Sequence, residues 1–190
     1  TPLVSASGSL YVQGSSVYGA LNNALLRTLT INTTEHAAIG RYASGQDFWA
    51  SVQFSASPGN GGNGNLIVTN LSTGGNTAVI GESNGWGYPR GGTHLSAHAF
   101  KNPGWVAISM TGNPNGQRFL DQEIAIANVN TGSVCRVAHH RSAGSQGAIG
   151  YWAEPHVNIS PLGTRMIFAS DWSNGATVDT YVVELPSYAP

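Results

Sequence analysis

At 190 residues the chain is long enough to bury a core, as one domain or as part of a larger one. Charged residues make up 9% of it, against roughly 25% in an ordinary soluble protein, so Asn, Ser, Thr, Gln and the backbone must supply surface polarity. The net charge is −1 with one lysine, Lys101, which leaves no basic stripe and excludes nucleic acid as a partner; no run of about 18 apolar residues exists, which excludes a membrane-spanning helix.

Residues 1–35 hold three short strand-like segments, SGSLYVQG, SSVYGAL and LLRTLTINTT, separated by Gly, Ser and Asn. They read as outer strands of an incomplete unit, or as strands that close a unit elsewhere. Leu21, Leu25, Leu26 and Leu29 also fit a helical spacing, so a short helix over 22–30 is the alternative.

A first clear unit runs over 36–82, with strands expected near 36–42, 48–54, 65–71 and 77–81 and a Gly/Asn-rich loop between the second and third. A second runs over 93–140 through HLSAHAF, GWVAISM, EIAIANV and SVCRVAHH, with Asn130-Thr131-Gly132 as its last turn. The third, over 154–186, shows HVNIS, RMIFASD and VDTYVVEL and lacks a fourth strand. Each unit opens on a histidine: 58 residues separate His36 from His94, and 62 separate His94 from His156. Four antiparallel strands at that period predict an all-β fold, a β-propeller or a part of one. Propellers close with four or more blades, so three units and a remnant imply further blades from a missing amino-terminal half or a second chain. The start at Thr1, without Met or a signal peptide, fits a processed or partial sequence. Low Lys with abundant Gly, Asn, Ser and Thr suits an exported bacterial protein.

In this phasing His36, His94 and His156 open three innermost strands and converge on the channel. Three neutral imidazoles suit a divalent metal such as manganese or zinc, and Glu154 and Glu35 stand within two residues of their histidines as further ligands or orienting partners. Hydrogen bonding between blades is the competing role. His98, four residues beyond His94, is either another inner ligand or a packed polar residue. His139, His140, Arg141 and Tyr151 are candidates for the catalytic base or for binding an anionic substrate at the channel mouth. Trp86, Tyr88 and Arg90 sit in a Gly-rich loop before His94 and, with Trp152, offer aromatic faces and a guanidinium to a sugar acid. Trp49, Trp105 and Phe168 are expected in the core, as is the single cysteine, Cys135, which has no disulfide partner and no CxxC spacing.

HVNISPLGTRMIFASDW resembles the blade repeat H-x-x-x-S-P-D-G-x-x-(I/V)-x-F-x-S-D of secreted bacterial propellers of the oligogalacturonate-lyase type. THLSAHAFKNPGWVAIS and CRVAHHRS extend the resemblance to roughly residues 34–186, as the carboxy-terminal portion of such a propeller. It implies a seven-bladed fold, a manganese ion held by histidines at successive blade starts with a glutamine, and β-elimination of pectin fragments. The matching positions are His94 and His156. Glu154 stands where the pattern has a second histidine, Tyr151 where it has the glutamine, and Leu162 replaces the turn aspartate. The resulting expectation is an extracellular propeller that acts on or binds an anionic polysaccharide, with a divalent metal (manganese, calcium or zinc) on His36, His94, His156 and Glu154. The alternative is a non-catalytic binding or structural propeller in an extracellular assembly.

Overall fold

The structure is a computed structural model that describes residues 2–53, 65–81, 92–113, 115–117 and 119–186. Among the described residues fifteen strands form four antiparallel sheets, each built in chain order: β1 (Leu3–Val4), β2 (Leu10–Gln13), β3 (Ser16–Gly19) and β4 (Leu25–Thr28); β5 (Ala37–Arg41), β6 (Asp47–Gln53), β7 (Asn65–Asn70) and β8 (Asn76–Ile80); β9 (Gly92–Ser96), β10 (Trp105–Met110), β11 (Glu123–Asn128) and β12 (Ser133–His139); β13 (Asn158–Ile159), β14 (Arg165–Ser170) and β15 (Asp179–Glu184). No α-helix occurs among the described residues, and no helix is long and apolar enough to cross a membrane. The arrangement is a partial β-propeller of three four-stranded blades and one of three strands.

Residues 1–35 contain the four strands of the first sheet. Two residues, Leu3 and Val4, pair with Val12 and Tyr11 and complete a four-stranded sheet within that segment. The helical alternative over 22–30 is also replaced by strand β4, because Leu25 and Arg27 pair with Tyr18 and Val17 on β3. Ladder hydrogen bonds with a neighbour outweigh a leucine spacing whose side chains, Leu21, Leu25 and Leu26, stay exposed.

The blades pack face to face, and the apolar core lies between them. Val12, Val17 and Leu29 of the first meet Ile39, Trp49 and Ile67 of the second. Phe48, Val52 and Leu66 of the second meet Val106, Ile108 and Met110 of the third. Ala107, Ile124 and Ile126 of the third meet Ile159, Met166 and Phe168 of the fourth. A central blade is covered on both faces, which is why all seven residues of β6, DFWASVQ, are buried instead of alternating. Each Val, Leu or Ile buried this way contributes about 1.5–3 kcal/mol. The end blade alternates: Met166, Phe168 and Ser170 face inward on β14, while Arg165 and Ile167 are exposed.

Close approach of the second and third blades depends on Gly40. A Cβ there would stand 2.3 Å from the Phe48 ring and 2.8 Å from Ala97 Cβ. Trp49 and Phe168 are in the core as expected, and Trp105 is half-buried against it. Cys135 is not: it lies on the outermost strand of its blade with its side chain exposed, since an edge strand at the rim has no blade beyond it.

Candidate functional site

The first strands of the last three blades, β5, β9 and β13, lie side by side at the inner edge, with β5 and β13 both against β9. Each starts at or beside one of the three histidines. His36 precedes β5, His94 is the third residue of β9, and His156 lies two residues before β13. The repeat therefore does bring the three rings together. His94 is the middle of a stack, with ring centroids 4.5 Å from His36 and 3.9 Å from His156.

Backbone carbonyls fix the outer two rings. His36 Nδ1 donates to the Thr93 carbonyl oxygen at 2.6 Å, a bond from the second blade to the third. His156 Nδ1 donates to the Glu154 carbonyl oxygen at 2.5 Å, with its own backbone at φ 45°. A carbonyl only accepts, so Nδ1 carries a proton in both rings. The His94 ring has Nδ1 3.6 Å from Glu154 Oε2 and Nε2 3.3 Å from the Tyr151 hydroxyl. Burial, followed by charge on His156 and then on His36, lowers the His94 pKa from 6.5 to about 4. Like charges this close disfavour a second proton, so the middle ring is neutral at physiological pH.

The connection from β12 to β13 carries the rest. Two 3-10 turns, Gly144–Gln146 and Gly150–Ala153, bring it back across the end of the blade to the histidines. Gly144, at φ 53°, lets the chain pass the Glu154 side chain, whose Cγ would be 3.4 Å from a Cβ there. The Glu154 carboxylate is buried and accepts from the Ser145 hydroxyl. Tyr151 sets its ring edge-on to His94 and His156, at 5.8 and 5.2 Å, and also edge-on to Trp152, which is 75% exposed. Glu154, Tyr151 and Trp152 thus join the three histidines.

Other candidates are placed elsewhere. His140 is fully buried, donates from Nε2 to the Met110 carbonyl at 2.8 Å and accepts the Ser142 N–H on Nδ1 at 3.0 Å. Burial lowers its pKa to about 4 despite the Met110 bond. Both nitrogens are committed to backbone, so it ties the end of the third blade together and is no base for a substrate. His139 is exposed at the rim, 3.5 Å from Glu123 Oε1, a carboxylate that also pairs with Arg136. Arg141 is exposed with its guanidinium 5.7 Å over the Trp172 ring, and a guanidinium that stays protonated is no base. Glu35 accepts from Asn32. His98 is exposed beyond the end of β9, beside Phe100, and is no inner ligand. Trp86, Tyr88 and Arg90 lie outside the described residues.

For a metal, the donor chemistry is right in kind: three imidazoles beside a buried carboxylate. The geometry is not. Interplanar angles of 23° and 31° keep the ring planes nearly parallel, so donor atoms aimed within those planes do not converge on one point. Among the described residues, no group of three or more His, Cys, Asp or Glu is arranged to hold an ion. The residues do not fit a metal as they stand.

Sequence reasoning missed the Thr93 carbonyl, Ser145 and the ring column under Arg141. The first two act through backbone position or a loop crossing that no motif marks.

No family model and no curated protein matches the chain. Solved structures do. A TolB from Agrobacterium tumefaciens is similar over 97% of this chain and 57% of its own, with a TM-score of 0.55 and 12% identity. A TolB from Acinetobacter baumannii covers 96% and 38%, at 0.53 and 12%. An oligogalacturonate lyase in complex with manganese covers 90% and 41%, with a TM-score of 0.54 and 15% identity. The chain spans less than two thirds of each of these structures. At such identities the likeness is one of fold, and that fold is the β-propeller.

Proposed function

We propose that this chain is part of an extracellular propeller that binds an anionic polysaccharide across the end bearing His36, His94 and His156. The observation that carries the reading is the meeting, at the inner edge of three successive blades, of a stack of three imidazoles with Tyr151 and the exposed Trp152. Aromatic edges and faces pack against sugar rings, and imidazole nitrogens and the Tyr151 hydroxyl exchange hydrogen bonds with sugar hydroxyls. The likeness to a manganese-bound lyase, as a fold, supports a finer version in which the protein cleaves uronate chains by β-elimination. Its divalent ion would need the rings to turn, so no catalytic step is assigned through it. Tyr151, held by His94, is the remaining candidate to move a proton.

The second reading, a structural or non-catalytic binding propeller, is favoured by the bond from His36 to Thr93, which makes the stack a fastening between blades. Native mass spectrometry with elemental analysis, alongside binding of oligogalacturonate, separates the two. Oligogalacturonate binding that His94→Gln weakens supports the first reading, and one bound transition metal per chain supports its lyase form. No binding and no metal supports the second.

A further inference from the structure

Arg141 crowns a column of stacked rings. Phe168, in the core, stacks on Tyr181 at 5.5 Å; Tyr181 stacks on Trp172 at 5.2 Å; and the Arg141 guanidinium lies 5.7 Å above the Trp172 ring. Burial falls along it, from Phe168 at 5% exposed to Trp172 at 53%. The backbone is bent to build it. Arg141, Trp172, Ser173 and Asn174 all have positive φ, between 47° and 72°, and the Ser173 N–H ties the two loops together at the Arg141 carbonyl, 2.6 Å away. Non-glycine residues reach that region at a cost in free energy, and such strain clusters at functional sites.

Its charge is unspent. The other described arginines each have an oxygen partner: Arg27 the Ser72 carbonyl, Arg41 the Gly45 carbonyl, Arg136 Glu123 and Arg165 Glu184. The guanidinium of Arg141 has no hydrogen bond or ion pair among the described residues. Asp171, beside Trp172 in sequence, is buried and accepts the Ala143 N–H at 2.8 Å through Oδ1. The column stands at the histidine end, because β12 ends there with His139 opposite Glu123, and β14 ends there with Ser170 opposite Asp179.

We propose that Arg141, held over Trp172, is a subsite for the carboxylate of a sugar acid, outward from the histidine stack on the same end of the propeller. The inference rests on the polysaccharide reading above. A guanidinium over an aromatic ring with no hydrogen bond or ion pair among the described residues keeps its N–H donors for a planar, two-oxygen acceptor, so it favours carboxylate over a neutral sugar. The test is calorimetric titration of the chain with oligogalacturonate, a sulfated galactan oligosaccharide and a neutral galactan oligosaccharide. It compares wild type, Arg141→Gln and Arg141→Lys, each checked for fold by circular dichroism. The expected result is an affinity for oligogalacturonate that falls by about tenfold or more in Arg141→Gln, and that Arg141→Lys, without the planar fork, restores only in part. Equal affinity of wild type and Arg141→Gln overturns the subsite while leaving the polysaccharide reading intact. Binding of the sulfated oligosaccharide alone overturns the carboxylate assignment. No binding of either acidic chain by wild type overturns the function proposed above, and the subsite with it.

Discussion

Glu154 organises two histidines at once, and its tie to His156 is the tighter: its carbonyl oxygen lies 2.5 Å from His156 Nδ1, while its carboxylate faces His94 Nδ1 at 3.6 Å. Substitution therefore affects only one of these contacts. Glu154→Ala keeps the carbonyl but removes the carboxylate's contacts with Ser145 and with the half-buried His94 ring. A loss of about 1–3 kcal/mol is expected in urea unfolding. Glu154→Gln, which keeps an acceptor for Ser145, should lose less. Equal stability of the alanine variant and wild type would show that the carboxylate supports nothing.

Acid should weaken the fold before the carboxylates titrate. His94 and His140 both have folded pKa values near 4, lowered chiefly by burial, against 6.5 unfolded. Between those values the unfolded chain binds more protons, so stability is fully present above about pH 6.5 and declines as pH falls towards 4. One group contributes a slope of at most about 1.4 kcal/mol per pH unit. Urea unfolding at pH 7, 5.5 and 4.5 should show the decline, and His140→Gln should make it shallower. A stability flat over that range would contradict the burial of both rings.

The interface between the second and third blades should resist any added volume. Gly40→Ala drives a methyl into Phe48 and Ala97, and a cost of about 1–3 kcal/mol is expected. Phe48→Ala, which opens a cavity in the same place, should cost about 3–5 kcal/mol. Because the residues touch, the double variant should be less destabilised than the sum of the two. Thermal unfolding of the three variants measures this directly.

Much of the architecture was legible because each of the last three blades repeats one order of strands, with a histidine at its inner start. The first blade was not, since a two-residue strand such as Leu3–Val4 carries no pattern and its partner is recognised only by pairing. Within the site, His36, His94 and His156 could be read from their spacing, and Glu154 and Tyr151 from their nearness in sequence to His156. His140 could not be told from His139. The register shift in β12 opposite Ile124 and Ala125, and the Met110 carbonyl that receives the ring, are both set by the third blade as a whole. Stacking of the three imidazoles was equally hidden, because convergence of side chains says nothing of the tilt of their planes. The same is true of the column beneath Arg141, which depends on three successive left-handed residues that are not glycine.

The most direct test follows the imidazole signals of His94 and His156 by NMR while oligogalacturonate is added, with assignments from His94→Gln and His156→Gln. Binding across the histidine end predicts saturable shifts in both rings and in Tyr151, with the buried His140 ring unmoved. Saturable binding that leaves His94 and His156 unchanged, or no binding at all, would contradict the central claim and leave the stack as a fastening between blades.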